Sequence, residues 1–117
     1  MSNYPKAKGT KAEGQAVLFL RRWWPKAERR ALSGNQDKGD VSGAPFVVEV
    51  KHHKSWRPGE WLDELRIEQK NAGENHGFIL ARRPNHTGFV GIVPEETLAH
   101  LLDCHFIVYG PPTDRRE

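Results

Sequence analysis

A chain of 117 residues with 37% hydrophobic content suits one compact domain over 1–117, because halves of it would be too small to bury a useful core. Its single cysteine excludes an internal disulfide framework and a thiolate cluster. No apolar run approaches the ~20 residues of a membrane span, and Met1 to Gly14 is too polar for a secretory segment, so a cytoplasmic protein without membrane contact is expected. The net charge is only +3, yet the cations bunch at 6–11, 21–30, 51–57 and 82–83. Such bunching suits a phosphate-facing surface, and equally an ordinary solvated one.

Residues 1–10 read as a flexible basic arm carrying Lys6 and Lys8. From Lys11 to Trp24 the apolar positions Ala12, Ala16, Val17, Leu20, Trp23 and Trp24 recur at helical spacing, with Thr10 as N-cap and Pro25 as the stop. Residues 27–32 suggest a short strand. Ser33-Gly34, Lys38-Gly39 and Ser42-Gly43 mark turns around an extended piece at Asp40-Val41. Phe46 to Lys51 is the strongest strand, with enough bulky apolar residues for burial on both faces. A second helix runs from about Glu60 to Ala72, with Gly73 as its stop. Strands at 77–81 and 88–93 follow, then a short helix from Pro94 to about Leu102, a last strand at 105–109 and a frayed tail over 110–117. A helix crossing over between buried strands predicts an α/β fold, a mixed sheet flanked by helices.

Glu49 is the anomaly, a carboxylate inside an apolar strand, where leaving it unpaired costs several kcal/mol. Alternation puts Val47, Glu49 and Lys51 on one face and Phe46, Val48 and Val50 on the other. A Glu-x-Lys tripeptide alone is more often a structural ion pair. Asp40, on the extended segment ahead of the strand, would return beside Glu49, and two converging carboxylates call for a cation between them. Glu13 shares a helical face with Val17, Leu20 and Trp24. It serves either the helix N-terminus electrostatically or the same cation.

The six histidines do not make a zinc site, since His52 and His53 are adjacent and no second pair falls at ligand spacing. Trp23, Trp24 and Trp61 read as core, Trp56 as a surface-packed loop residue able to stack on a base, and Cys104 as a small buried or half-buried side chain.

Glu13 on a first helix, Ser33-Gly34, Gly39-Asp40, Glu49-Val50-Lys51 closing an apolar strand, and a second helix opening at Trp61-Leu62 together resemble the PD-(D/E)XK nuclease superfamily. The likeness covers roughly residues 9–103 and is greatest to the small Holliday junction resolvase-like proteins of archaea and phages. It implies a restriction-endonuclease-like fold of α-β-β-β-α-β order. Asp40, Glu49 and the Val50 carbonyl would hold Mg²⁺ or Mn²⁺, Glu13 would assist, and Lys51 would position the attacking water or neutralise charge. Some members of the superfamily carry a glutamine on the second helix near the site, for which Gln69 is the candidate here and Glu64 its rival. No small-molecule cofactor is implied. The substrate would be DNA, branched in the resolvase case, bound through Lys11, Arg29, Arg30, Ser33, His52, Lys54 and Arg57. Two symmetric cuts would require a homodimer. A nicking or repair endonuclease on duplex or flap DNA, and a non-catalytic DNA-binding module, are the alternatives.

Overall fold

Helix α1 (Tyr4–Leu20) starts well ahead of Lys11 in the computed structural model, which describes residues 4–31 and 36–111, with side chains from Lys11 onward. Thr10 is therefore interior to the helix and does not cap it. Pro5 fits the first turn, where its missing N–H has no partner to lose. The helix also ends four residues short of Trp24. Pro25 disfavours helical geometry in the residue before it, and residues 21–23 form a turn.

Two short strands follow, β1 (Glu28–Arg29) and β2 (Val41–Ser42), paired antiparallel with Arg29 opposite Val41. Then come β3 (Val47–His52), α2 (Pro58–Ala72), β4 (Gly77–Arg82) and β5 (Val90–Ile92). In the second sheet β3 and β4 are parallel, Glu49 opposite Ile79, and β5 returns antiparallel to β4. The parallel pair needs a crossover, and α2 supplies it, closed by Gly73 in the left-handed conformation at φ 69°. The result is an α/β fold with three helices and mixed strand pairing.

The sheet is apolar on both faces, as the β3 sequence predicts. Val48, Val50 and Leu80 pack beneath Ala12, Ala16, Val17 and Leu20 of α1. On the other side Val47, Ile79 and Ala81 meet Trp61 and Leu65 of α2. Glu49 and Lys51, in phase with Val47, therefore face α2.

The last element corrects the sequence reading. Residues 105–109 continue α3 (Glu95–Tyr109) and form no strand. Phe106, Ile107, Val108 and Tyr109 favour strands only where a ladder and a packing face exist. A helix satisfies their backbone groups locally, and the Gly110 N–H closes it on the Phe106 carbonyl at 2.6 Å. Two burial expectations also fail. Trp23 is exposed, edge-on to Phe19 with Arg22 over its ring, because it follows the end of α1. Cys104 is exposed because α3 leaves the body before reaching it. Trp61 is core on the α2 side, and Trp24 is half-buried against the α1-side cluster, edge-on to Phe46. Among the described residues no helix is long and apolar enough to cross a membrane. Ser33 and residues 112–117 lie outside the described residues.

Candidate active site

The site is assembled at β3 by one loop and one helix. Gly39 takes φ +95°, and a Cβ there would stand 2.9 Å from Val47 Cγ1 and 3.0 Å from the Val48 carbonyl oxygen. Only glycine lets the loop lie this close to the strand. That approach delivers Asp40, whose N–H donates to the Val48 carbonyl at 2.8 Å and whose Oδ2 accepts the Val50 N–H at 2.7 Å. Backbone groups alternate along a strand, so the Val50 carbonyl faces the same edge as Asp40.

Glu49 is 8% exposed and Glu68, on α2, 3% exposed. Carboxylate oxygens of Asp37, Glu49 and Glu68 lie within 4.8 Å of one another. They line an open cavity of about 360 Å³ with Lys51, Glu64 and Ile67. Lys51 Nζ stands 2.8 Å from Glu64 Oε1 and 3.4 Å from Glu49 Oε2. Asp37 is fixed from two sides: its Oδ1 accepts the Gly39 N–H at 2.9 Å, and its carbonyl accepts the Asn71 amide at 2.8 Å.

Electrostatics mark this place as short of positive charge. Burial, and then the charges of Asp40 and Glu68, push Glu49 up to about 10. Burial and the Asp37 charge carry Glu68 to about 8. Asp40 rises to about 6 through burial, partly offset by the Val50 N–H, with Glu13 adding repulsion. Lys51 moves the other way from an isolated buried lysine. Burial lowers its pKa, but the hydrogen bond to Glu64 and the charges of Glu49 and Glu64 outweigh that and raise it. Glu49 Oε1 and Glu68 Oε1 are buried and meet no N–H or hydroxyl donor among the described residues, so only a proton shared between the two carboxyl groups could join them. Convergent hard oxygens, two of them orphaned, in a cavity with one lysine against four carboxylates, form a donor set fitted to a divalent cation.

No family model, curated protein or solved structure matches this chain. The site therefore rests on its own geometry.

Asp40, Glu49 and Lys51 come together as their spacing predicts. Glu13 stands apart from the Asp37–Glu49–Glu68 group, on the α1 side, where its Oε1 accepts Arg29 Nε at 3.1 Å, and its charge still reaches Asp40. It lies well inside α1, so a role at the helix N-terminus does not hold, since that effect fades within the first turn. Gln69 is turned to the Asn75 carbonyl at the end of α2, whereas Glu64 reaches Lys51. Sequence reasoning missed Glu68 and Asp37. The α2 stripe Trp61, Leu65, Glu68 carried the first signal; Asp37 had none, because a long-range contact with α2 holds it.

The cations expected to meet DNA are spread unevenly. Lys11 and His52 line a cavity of about 340 Å³ with Gln15, Arg82, Asn85 and His86, and no carboxylate lines it. Lys54 is exposed on the β3–α2 loop, and Arg57 there faces Glu60 at 3.4 Å. Arg30 donates to the Val41 carbonyl at 3.3 Å, so together with the Glu13-bound Arg29 it braces the β1–β2 pair. Trp56 packs on Trp61 with Arg83 over its ring.

Proposed function

We propose that this chain is a metal-dependent DNA endonuclease of the PD-(D/E)XK kind, acting on branched DNA such as a four-way junction. The observation that carries the reading is the placement of Asp40, Glu49 and Lys51 at one end of β3, with buried, orphaned carboxylate oxygens beside the only lysine of the cavity. The chain opens with a helix, three strands, a crossover helix and a parallel strand, and this order supports the reading, although β1–β2 and β3–β4–β5 form two separate sheets. Glu49 would be the central ligand of Mg²⁺ or Mn²⁺, with Asp40 and the Val50 carbonyl on the strand edge and Asp37 and Glu68 on the α2 side. Such an ion supplies Lewis acidity toward a phosphoryl oxygen and lowers the pKa of bound water.

The chain's own groups perform the rest. Lys51, held by Glu64 and Glu49, stays an ammonium at neutral pH, so it donates and neutralises charge and does not serve as a general base. Its task is to stabilise negative charge that builds on the phosphoryl oxygens as water attacks. Val50 N–H holds Asp40 through its Oδ2, which fixes the carboxylate at the strand edge beside Glu49. The carboxylate-free cavity around Lys11, His52, Arg82 and His86 lies on the α1 side of the same strand end and offers a path for the phosphodiester backbone.

Incubating the protein with a four-way junction, a duplex and a single strand tests the proposal. Cleavage is expected with Mg²⁺ or Mn²⁺, fastest on the junction. Ca²⁺, which takes more ligands in looser geometry, is expected to support binding with little cutting. Cutting that persists in excess chelator would overturn the metal-dependent reading. Binding without cleavage in any divalent ion would favour a DNA-binding module.

A further inference from the structure

Helix α3 presents an apolar face that nothing among the described residues covers. Only its first turns touch the body, through Thr97, whose hydroxyl accepts the Gly77 N–H at 3.3 Å, and His100, stacked on His76 at 4.4 Å. Beyond them Leu98, Leu101, Leu102, Phe106 and Tyr109 line one side of the helix at spacings of three and four, all exposed, from 40% at Leu101 to 73% at Tyr109. Val108, next to Leu101 on the helix surface, is 71% exposed, and Ile107, on the opposite side, 79%.

We infer that this face is a homodimer interface in which α3 packs antiparallel on α3 of a second copy. Six large side chains on this side, exposed to this degree, offer on the order of 100 Å² each, roughly 600 Å² in all, the upper end of the largest patch a typical monomer exposes and about three-quarters of the ~800 Å² per partner of a standard interface.

Charge narrows the occupant. Between Glu95 and Tyr109 there is no lysine or arginine, while Glu95, Glu96 and Asp103 are acidic. Nucleic acid would be repelled, and a helix lying on an anionic membrane would carry cations on its polar side. The segments of this sequence outside the described residues hold only Met1 and Leu32 as large apolar side chains, too few to cover the stripe. A second copy brings the same apolar stripe, which is what an isologous contact requires. Antiparallel packing keeps the acidic first turns of the two helices apart and opposes their dipoles, whereas a parallel pair would crowd four carboxylates together.

The inference rests on exposure and charge and stands whether or not the chain cuts DNA. It also gives the proposed junction cleavage its second active site. Sedimentation of the full chain, without DNA or metal, decides it. The wild type is expected to sediment as two chains at micromolar concentration, with α3 amides exchanging more slowly as concentration rises. Leu102→Glu with Phe106→Glu is expected to weaken association by roughly thirtyfold or more, the effect of losing interface anchors, with the circular dichroism signal of the body retained. A wild type that stays monomeric at high concentration overturns the inference without needing any variant. So does a dimer whose formation leaves α3 exchange unchanged. A dimer that binds but never cuts junctions would instead count against the nuclease proposal alone.

Discussion

Asp40, Glu68 and Glu49 titrate at about 6, 8 and 10, each above the ordinary carboxylate range because burial and mutual repulsion disfavour the charged form. A carboxyl whose folded pKa is raised binds its proton more tightly in the folded chain. Its contribution to stability is complete below the unfolded pKa and is lost as pH climbs through the folded value. The melting temperature of metal-free protein is therefore expected to fall as pH rises from about 5 to about 9, and Mg²⁺ should raise it more at the alkaline end, where it displaces fewer protons. A melting temperature that climbs over this range would mean the carboxylates are already neutralised by other groups. Glu13 offers a second test at this scale. Its ion pair with Arg29 is partly exposed, so Glu13→Gln should change stability by less than about 1 kcal/mol. It also removes one of the charges that raise Asp40, so the Asp40 titration, followed by NMR, should move down. An unmoved Asp40 titration would detach Glu13 from the site.

At the scale of elements, α2 does more than cross between parallel strands. It lays Trp61 and Leu65 on the sheet and, one turn further, points Glu68 at Glu49. Glu68→Gln keeps the shape and removes one ionisable group from a crowded cavity. The metal-free protein is expected to melt higher at alkaline pH, while Mn²⁺ affinity, measured by calorimetry, drops ~10-fold or more. Unchanged affinity would confine the ion to the Asp40 edge. The sequence made β3, α2, β4 and the Asp40–Glu49–Lys51 grouping legible, because alternation in a strand and spacing in a helix are local rules. It hid what depends on distant partners. The 105–109 segment has strand composition but no neighbouring strand to pair with, and Asp37 owes its position to Asn71, far along the chain. Glu68 was legible in principle, since it sits on the stripe of Trp61 and Leu65, yet a polar residue on an apolar stripe is easily read as its end. The start of α1 was obscured by Gly9 and Pro5, which suit loops as well as a first turn.

Taken whole, the molecule separates its charges by face. The acidic cavity opens on the α2 side of β3, the carboxylate-free one on the α1 side, and α3 carries the uncovered apolar surface away from both helices' packing faces. If the chain binds DNA as proposed, its affinity is expected to be mostly electrostatic, with log K falling with log[salt] by about 0.9 for each phosphate neutralised. Replacing Lys11 and Arg82 by alanine should flatten that slope by about 1.8 in fluorescence anisotropy titrations. An unaltered slope would move the DNA path to the Lys54–Arg57 loop.

In the proposed reaction Lys51 acts on the chemistry and not on the grip. Single-turnover cleavage of a four-way junction by Lys51→Ala in Mg²⁺, set beside junction affinity in Ca²⁺, separates the two. The rate is expected to fall by ~10²-fold or more, the scale of a lost transition-state donor, with affinity nearly unchanged. Affinity and cleavage falling together would instead make Lys51 a phosphate anchor and remove it from the chemistry.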